Sequence, residues 1–209
     1  MGETEGKGVE QMVYIVGIGP GAKAYILPKA LEVLNSCQVV IGFERAIRSI
    51  EHNNKLVIKS LTETLAYLNR NKGVDIAIVA SGDPCFYGIT DYINKNYKGC
   101  FSVIPGISSF QYLCAKLNKP WQGSFLGSLH GREEDFLERV KENNISIWLT
   151  DKTHTPGFIC SCLIQAKLNA LIYVGENLSY EDEKITIGEP EKFINTNFSE
   201  LCVVIIERL

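Results

Sequence analysis

Four short loops hold residues whose types and spacing could do chemistry: Gly17-Ile18-Gly19-Pro20-Gly21, Ser81-Gly82-Asp83-Pro84 with Tyr87-Gly88, Pro105-Gly106-Ile107-Ser108-Ser109, and Ser128-Leu129-His130-Gly131-Arg132. Glycines after a strand let the backbone turn sharply and let a ligand come close. An unpaired carboxylate is costly to bury, so Asp83 belongs at a cleft or as the cap of a helix opening near Phe86. Ser108 and Ser109 offer hydroxyls and backbone amides at a helix start, where N-capping is the plainer role. Arg132 suits carboxylates, which a guanidinium holds through two parallel bonds. With His130 beside it, the fourth loop reads as an anion or substrate site, although a lone His is also a common satisfied polar residue.

Gly17 to Ala22 also fits G-x-G-x-x-A, a dinucleotide pattern. That reading needs an acid at the end of the second strand and a helix amino-terminus right at the loop. Here Gln38–Gly42 ends in glycine with Glu44 as the next acid, and Pro20-Gly21 delays the helix to Pro28. Both features argue against NAD.

The loops matter because each ends a run that reads as a buried strand. Met12–Gly17, Gln38–Gly42, Leu56–Lys59, Asp75–Ser81 and Phe101–Ile104 are short, apolar and mostly β-branched. Between them, helices are predicted over Pro28–Ser36, Glu44–His52, Ser60–Asn71, Phe86–Tyr97 and Ser108–Asn118; the third opens with the capping box Ser60-x-x-Glu63. Strand–helix alternation with nearly continuous apolar strands implies an α/β fold with a mostly parallel sheet covered on both faces. Ligands in such sheets gather at the carboxyl ends of the strands. The pattern breaks at Asn118–Gly123, where a domain boundary is placed, giving an N-terminal α/β domain over 12–118 and a C-terminal one over 123–209. In the second, strands at Ser124–Leu129, Ile145–Thr150, Ala170–Gly175, Lys184–Gly188 and Leu201–Glu207 accompany helices at Glu133–Asn143 and Pro156–Lys167. The last three strands have little helix between them, so a mixed sheet is expected there.

The chain has 209 residues, 45% hydrophobic and 22% charged, with a net charge of -3. This is enough for one large or two small domains, and it offers no bulk attraction to nucleic acid or anionic lipid. Seven cysteines sit mostly in apolar runs and form no CxxC pair, so they are read as reduced core residues of a cytoplasmic protein. His52, His130 and His154 are not spaced with Cys as zinc ligands, and no metal is expected. No apolar run reaches the roughly 18 residues of a membrane span, and no leader peptide is expected. Residues 1–11 are polar and glycine-rich and are expected to be a disordered extension.

Singly the loops are weak signals; their order is specific. A strand ending in GxGPG, a strand ending in GDP-x-x-x-G and a PGISS turn, at Gly17–Gly21, Gly82–Gly88 and Pro105–Ser109, resemble the tetrapyrrole methylase superfamily over about residues 12–209. Ser128–Arg132 (SLHGR) and Gly175–Ser179 (GENLS) are similar to its branch that methylates carbon 5 of a corrin precursor, cobalt-precorrin-7 or precorrin-6Y. The resemblance implies two α/β domains with S-adenosylmethionine in a cleft between them, and a homodimer. It implies that Ile18, Gly19, Pro20, Gly82, Asp83, Phe86, Ser108 and Ser109 line the cofactor pocket, with Leu149, Thr150, Gly175 and Glu176 from the second domain. His130, Arg132 and Lys152 are the candidates for the corrin carboxylates, and His130 or Glu176 for the proton the ring loses. A separate protein is expected to perform the decarboxylation and carbon-15 methylation that a fused domain carries out in the two-headed enzymes. Two other classes stay open on the residues alone: an NAD-dependent oxidoreductase and a noncatalytic binding protein. Neither nucleic acid nor membrane is expected as a partner.

Overall fold

A computed structural model of the chain describes residues 11–129 and 135–209. The expected N-terminal extension, but for Gln11, and the first two residues of the helix predicted over Glu133–Asn143 lie outside them. The described residues divide into two compact units at Ser108–Ser109.

The first unit carries β1 (Val13–Gly17), α1 (Pro28–Ser36), β2 (Val39–Gly42), α2 (Glu44–Arg48), β3 (Lys55–Val57), α3 (Leu61–Arg70), β4 (Ile76–Ala80), α4 (Thr90–Asn96) and β5 (Phe101–Ile104). Its five strands are all parallel, in the order β3-β2-β4-β1-β5. Alternation along the strands decides which face each side chain covers. Val16, Val40, Ala77 and Val79 pack with Ala30, Val33 and Leu34 of α1 and with Ala46 and Ile47 of α2. Val13, Ile15, Val39, Ile41, Ile76 and Ile78 pack on the other side with Leu68 of α3 and Ile93 of α4. The strands read as continuous apolar runs because both faces are covered. The capping box holds as predicted: the Ser60 hydroxyl accepts the Glu63 N–H at 3.1 Å, and the Glu63 carboxylate reaches back to the Lys59 N–H at 2.7 Å.

The second unit carries α5 (Ser109–Lys116), β6 (Phe125–Ser128), α6 (Phe136–Glu142), β7 (Ile145–Leu149), α7 (Pro156–Gln165), β8 (Ala170–Glu176), β9 (Lys184–Gly188) and β10 (Cys202–Arg208). The sheet order is β6-β7-β10-β8-β9, parallel for β6–β7 and antiparallel elsewhere, which is the expected mixed sheet. Fully buried Trp148 centres one core, between the rings of Phe125 and Phe136 and against α7. The unit boundary lies ten residues before the expected break, because α5 packs against β7 and β10 of the second sheet. The Pro-Gly stretch at Asn118–Gly123 ends that helix; Asn118 sits at a φ of 51° and Lys119 donates its N–H to the Cys114 carbonyl at 2.9 Å.

Among the described residues no helix is long and apolar enough to cross a membrane. All seven cysteines are free thiols; Cys85 and Cys100 are exposed, and Cys37, Cys114, Cys160 and Cys202 are buried. Burial pushes Cys160 and Cys202 up to about 12, and Cys37 and Cys114 to about 11. Because the thiolate is the reacting form, a disulfide-exchange reagent at pH 8 should titrate Cys85 and Cys100 quickly and the four buried thiols only after denaturation. Fast native reaction of four or more thiols would contradict this core.

Candidate functional site

In the first unit three of the four loops meet at the carboxyl edge of β4, β1 and β5, which lie side by side. Ile18 continues β1 by donating its N–H to the Ala80 carbonyl at 3.0 Å. Gly19 and Gly82 then exchange both backbone bonds, at 3.3 and 2.7 Å, fastening the first loop to the second. Asp83 fastens the second to the third: one carboxylate oxygen accepts the Cys85 N–H at 2.7 Å and the other accepts the Gly106 N–H at 3.2 Å. Asp83 is therefore a cap of its own turn and a tie between loops, and the helix that follows begins at Thr90 rather than near Phe86.

The glycines do a different job from the one the sequence suggests. A β-carbon on Gly17 would lie 2.6 Å from the Gly106 nitrogen and 2.7 Å from Pro84 Cδ, and one on Gly106 would lie 2.2 Å from the Gly82 carbonyl oxygen. These residues let backbone pack on backbone. Gly82 differs: its φ is +67°, and a β-carbon there would meet only Ser108 Cα, at 3.7 Å. It presents open backbone, the kind of surface a ligand can approach closely. Ile18 and Ser108 are buried, Pro20 and Phe86 half-buried, and Ser109 opens α5 in the second unit.

In the second unit β6, β7 and β8 run in one direction, since both β7 and β8 are antiparallel to β10. Their carboxyl ends share an edge flanking the start of β10: Leu149 is in register with Val203, and Glu176 with Cys202. Buried Thr150 follows, its hydroxyl donating to the Cys202 carbonyl at 3.0 Å. Leu149, Thr150, Gly175 and Glu176 are thus gathered at one edge of the second sheet.

The Glu176 side chain is 8% exposed. One oxygen accepts the Ser199 N–H at 3.1 Å; the other is buried without a hydrogen bond, 3.6 Å from Lys184 Nζ. It is placed to hold the lead into β10. Beyond it, Asn177 and Ser179 take φ values of 45° and 70°, and Glu183 clamps this turn by accepting the Ser179 N–H at 2.7 Å and pairing with Lys116 of α5 at 3.0 Å. Lys152 is exposed and pairs with Glu200 at 2.9 Å. His130 and Arg132 lie outside the described residues. The Asp151–His154 pair, two residues past the end of β7, is one that motif reading passes over: His154 Nδ1 lies 3.2 Å from an Asp151 carboxylate oxygen. An acid followed three residues later by His after a strand is its only sequence signal.

Comparisons with known proteins point one way. The family description Tetrapyrrole (Corrin/Porphyrin) Methylases matches residues 12–193. A probable cobalt-precorrin-7 C(5)-methyltransferase of Methanocaldococcus jannaschii is 34% identical, over 94% of this chain and 98% of that one. The cobalt-precorrin-7 C(5)-methyltransferase of Salmonella typhimurium is 28% identical over 94% of this chain and 99% of its own. The crystal structure of a precorrin-6Y methylase from Archaeoglobus fulgidus superposes with a TM-score of 0.76 at 20% identity, over 95% of this chain and 98% of that one, and so shares the fold.

Proposed function

Because this chain belongs to the tetrapyrrole (corrin/porphyrin) methylases, we propose that it transfers a methyl group from S-adenosylmethionine to carbon 5 of a corrin precursor of the cobalt-precorrin-7 type, in cobalamin biosynthesis. The observation that carries the substrate assignment is end-to-end likeness to a relative of that name, 34% identical over 98% of its length. The structural fit is the edge where Gly82 offers open backbone beside Asp83 and buried Ser108.

S-adenosylmethionine supplies a methyl already activated on a sulfonium. What remains for the chain is to hold donor and acceptor in line, and positioning of this kind contributes on the order of 7–11 kcal/mol in favourable cases. Gly82 and Ile18 present backbone to the cofactor. Asp83 fixes the loops against one another and leaves a negative field near the cationic end of the ligand. Leu149, Thr150, Gly175 and Glu176 form the second set of cofactor contacts, Glu176 by fixing the β10 lead. His130 and Arg132 bind the corrin carboxylates together with Lys152, which gives up Glu200 to do so. On the same reading the chain works as a cytoplasmic homodimer.

Titration calorimetry tests the cofactor. S-adenosylhomocysteine should bind in the micromolar range while NAD does not; the reverse would end this reading. Asp83→Asn replaces one acceptor by a donor facing a backbone N–H, and should weaken S-adenosylhomocysteine binding about tenfold, the size of one hydrogen bond to a charged group. Unchanged affinity would remove Asp83 from the site.

A further inference from the structure

Replacing a ring hydrogen by a methyl group releases a proton, which needs an acceptor. Among the histidines, His52 has both ring nitrogens engaged by backbone carbonyls, Nδ1 with Asn54 at 2.9 Å and Nε2 with Cys37 at 3.1 Å. The Glu176 carboxylate is buried; one oxygen accepts the Ser199 N–H, and the other lies 3.6 Å from Lys184 Nζ without a hydrogen bond. His154 is arranged differently. Asp151 accepts the N–H groups of Thr153 and His154 at 2.8 and 2.6 Å, which fixes its carboxylate beside His154 Nδ1. An Asp at Nδ1 selects the tautomer with the proton on that nitrogen and the lone pair on Nε2. Among the described residues Nε2 has no hydrogen-bond partner. The ring is 26% exposed, and Phe158 of α7 packs edge-on at 5.3 Å, limiting its rotation. Among the described residues Asp151 is the charged group paired with it, and the neighbouring Lys152 pairs with Glu200.

This is an oriented base on the edge that carries Leu149 and Thr150. Resting on the function proposed above, we propose that His154 accepts the proton lost from the ring during carbon-5 methylation, with Asp151 as its positioning residue. In that step the ring carbon forms its bond to the methyl from a π pair, and the carbon–sulfur pair stays on sulfur. The C–H pair returns to the ring as the proton moves to His154 Nε2. Asp151 stabilises the resulting imidazolium.

The test is single-turnover methyl transfer to cobalt-precorrin-7 across pH 5–9, for the parent chain, His154→Gln, His154→Ala and Asp151→Asn, with S-adenosylhomocysteine affinity and thermal midpoint measured on each. A positioned base contributes roughly 100-fold or more. Both His154 variants should lose about that factor and give a pH–rate profile of different shape from the parent chain's. Their cofactor affinity and midpoint should hold. Asp151→Asn should lose less, about tenfold. The proposal is overturned if either His154 variant keeps its rate within threefold or keeps the parent chain's pH–rate profile. It is equally overturned if the rate falls only in step with cofactor affinity or midpoint, since the pair would then merely hold the loop. A parent chain that binds S-adenosylhomocysteine yet transfers nothing to the corrin would instead refute the carbon-5 assignment, and this role with it.

Discussion

Gly106→Ala should reduce S-adenosylhomocysteine affinity on the order of 100-fold, or leave the first unit unfolded. The added β-carbon would lie 2.2 Å from the Gly82 carbonyl oxygen and 2.8 Å from the Gly17 carbonyl carbon. Both are backbone atoms at strand ends, so no flexible side chain can give way. Separating them pulls apart the loops after β1, β4 and β5 and stretches the Gly106 N–H bond to Asp83. Overpacking of this kind costs about 1–3 kcal/mol, and more where the neighbour is rigid; 100-fold in affinity corresponds to about 2.7 kcal/mol. Gly82→Ala is the informative contrast. Its β-carbon has room, and only the left-handed backbone at φ +67° penalises it, by about 1–2 kcal/mol. If calorimetry finds Gly106→Ala binding within threefold of the parent chain, the three loops do not build the cofactor site.

Trp148→Ala should destabilise the second unit by about 3–5 kcal/mol, the range for deleting a large aromatic from a core. Trp148 is fully buried, lies 5.2 Å from the ring centroids of both Phe125 and Phe136, and donates its indole N–H to Ser146 Oγ at 2.9 Å. Gly127 leaves room for it: a β-carbon there would lie 2.4 Å from the indole. The change therefore opens a cavity and strips a buried hydroxyl of its donor. It also loosens β7, whose end carries Leu149 and Thr150. Urea denaturation followed by circular dichroism would measure the loss; a destabilisation below about 1.5 kcal/mol would mean that the core collapses around the gap or that Trp148 is not its centre.

Local pattern determined most of the architecture. β-branched runs such as Asp75–Ser81 can be buried only as strands between helices, so the parallel first sheet and the mixed second sheet were legible, as was the capping box at Ser60. The order of the GxGPG, GDP and PGISS loops pointed to the cofactor through its resemblance to the tetrapyrrole methylases, and strand ends in a parallel sheet share one edge, which brings the three loops together. Tertiary structure decided the rest. The segment from Ser109 joins the second unit because the apolar stripe of α5 finds its partners on β7 and β10, and an amphipathic helix does not state in sequence which sheet it will cover. A glycine motif cannot say whether its missing β-carbon admits a ligand or another backbone; here Gly17 and Gly106 admit each other and Gly82 stays open. The resemblance placed Glu176 in the cofactor pocket without saying where its carboxylate turns; the register of β8 with β10 sets it opposite Cys202, and one oxygen accepts the Ser199 N–H. His154 gained its orientation from Asp151, a partner that only the fold of the chain after β7 brings to its ring.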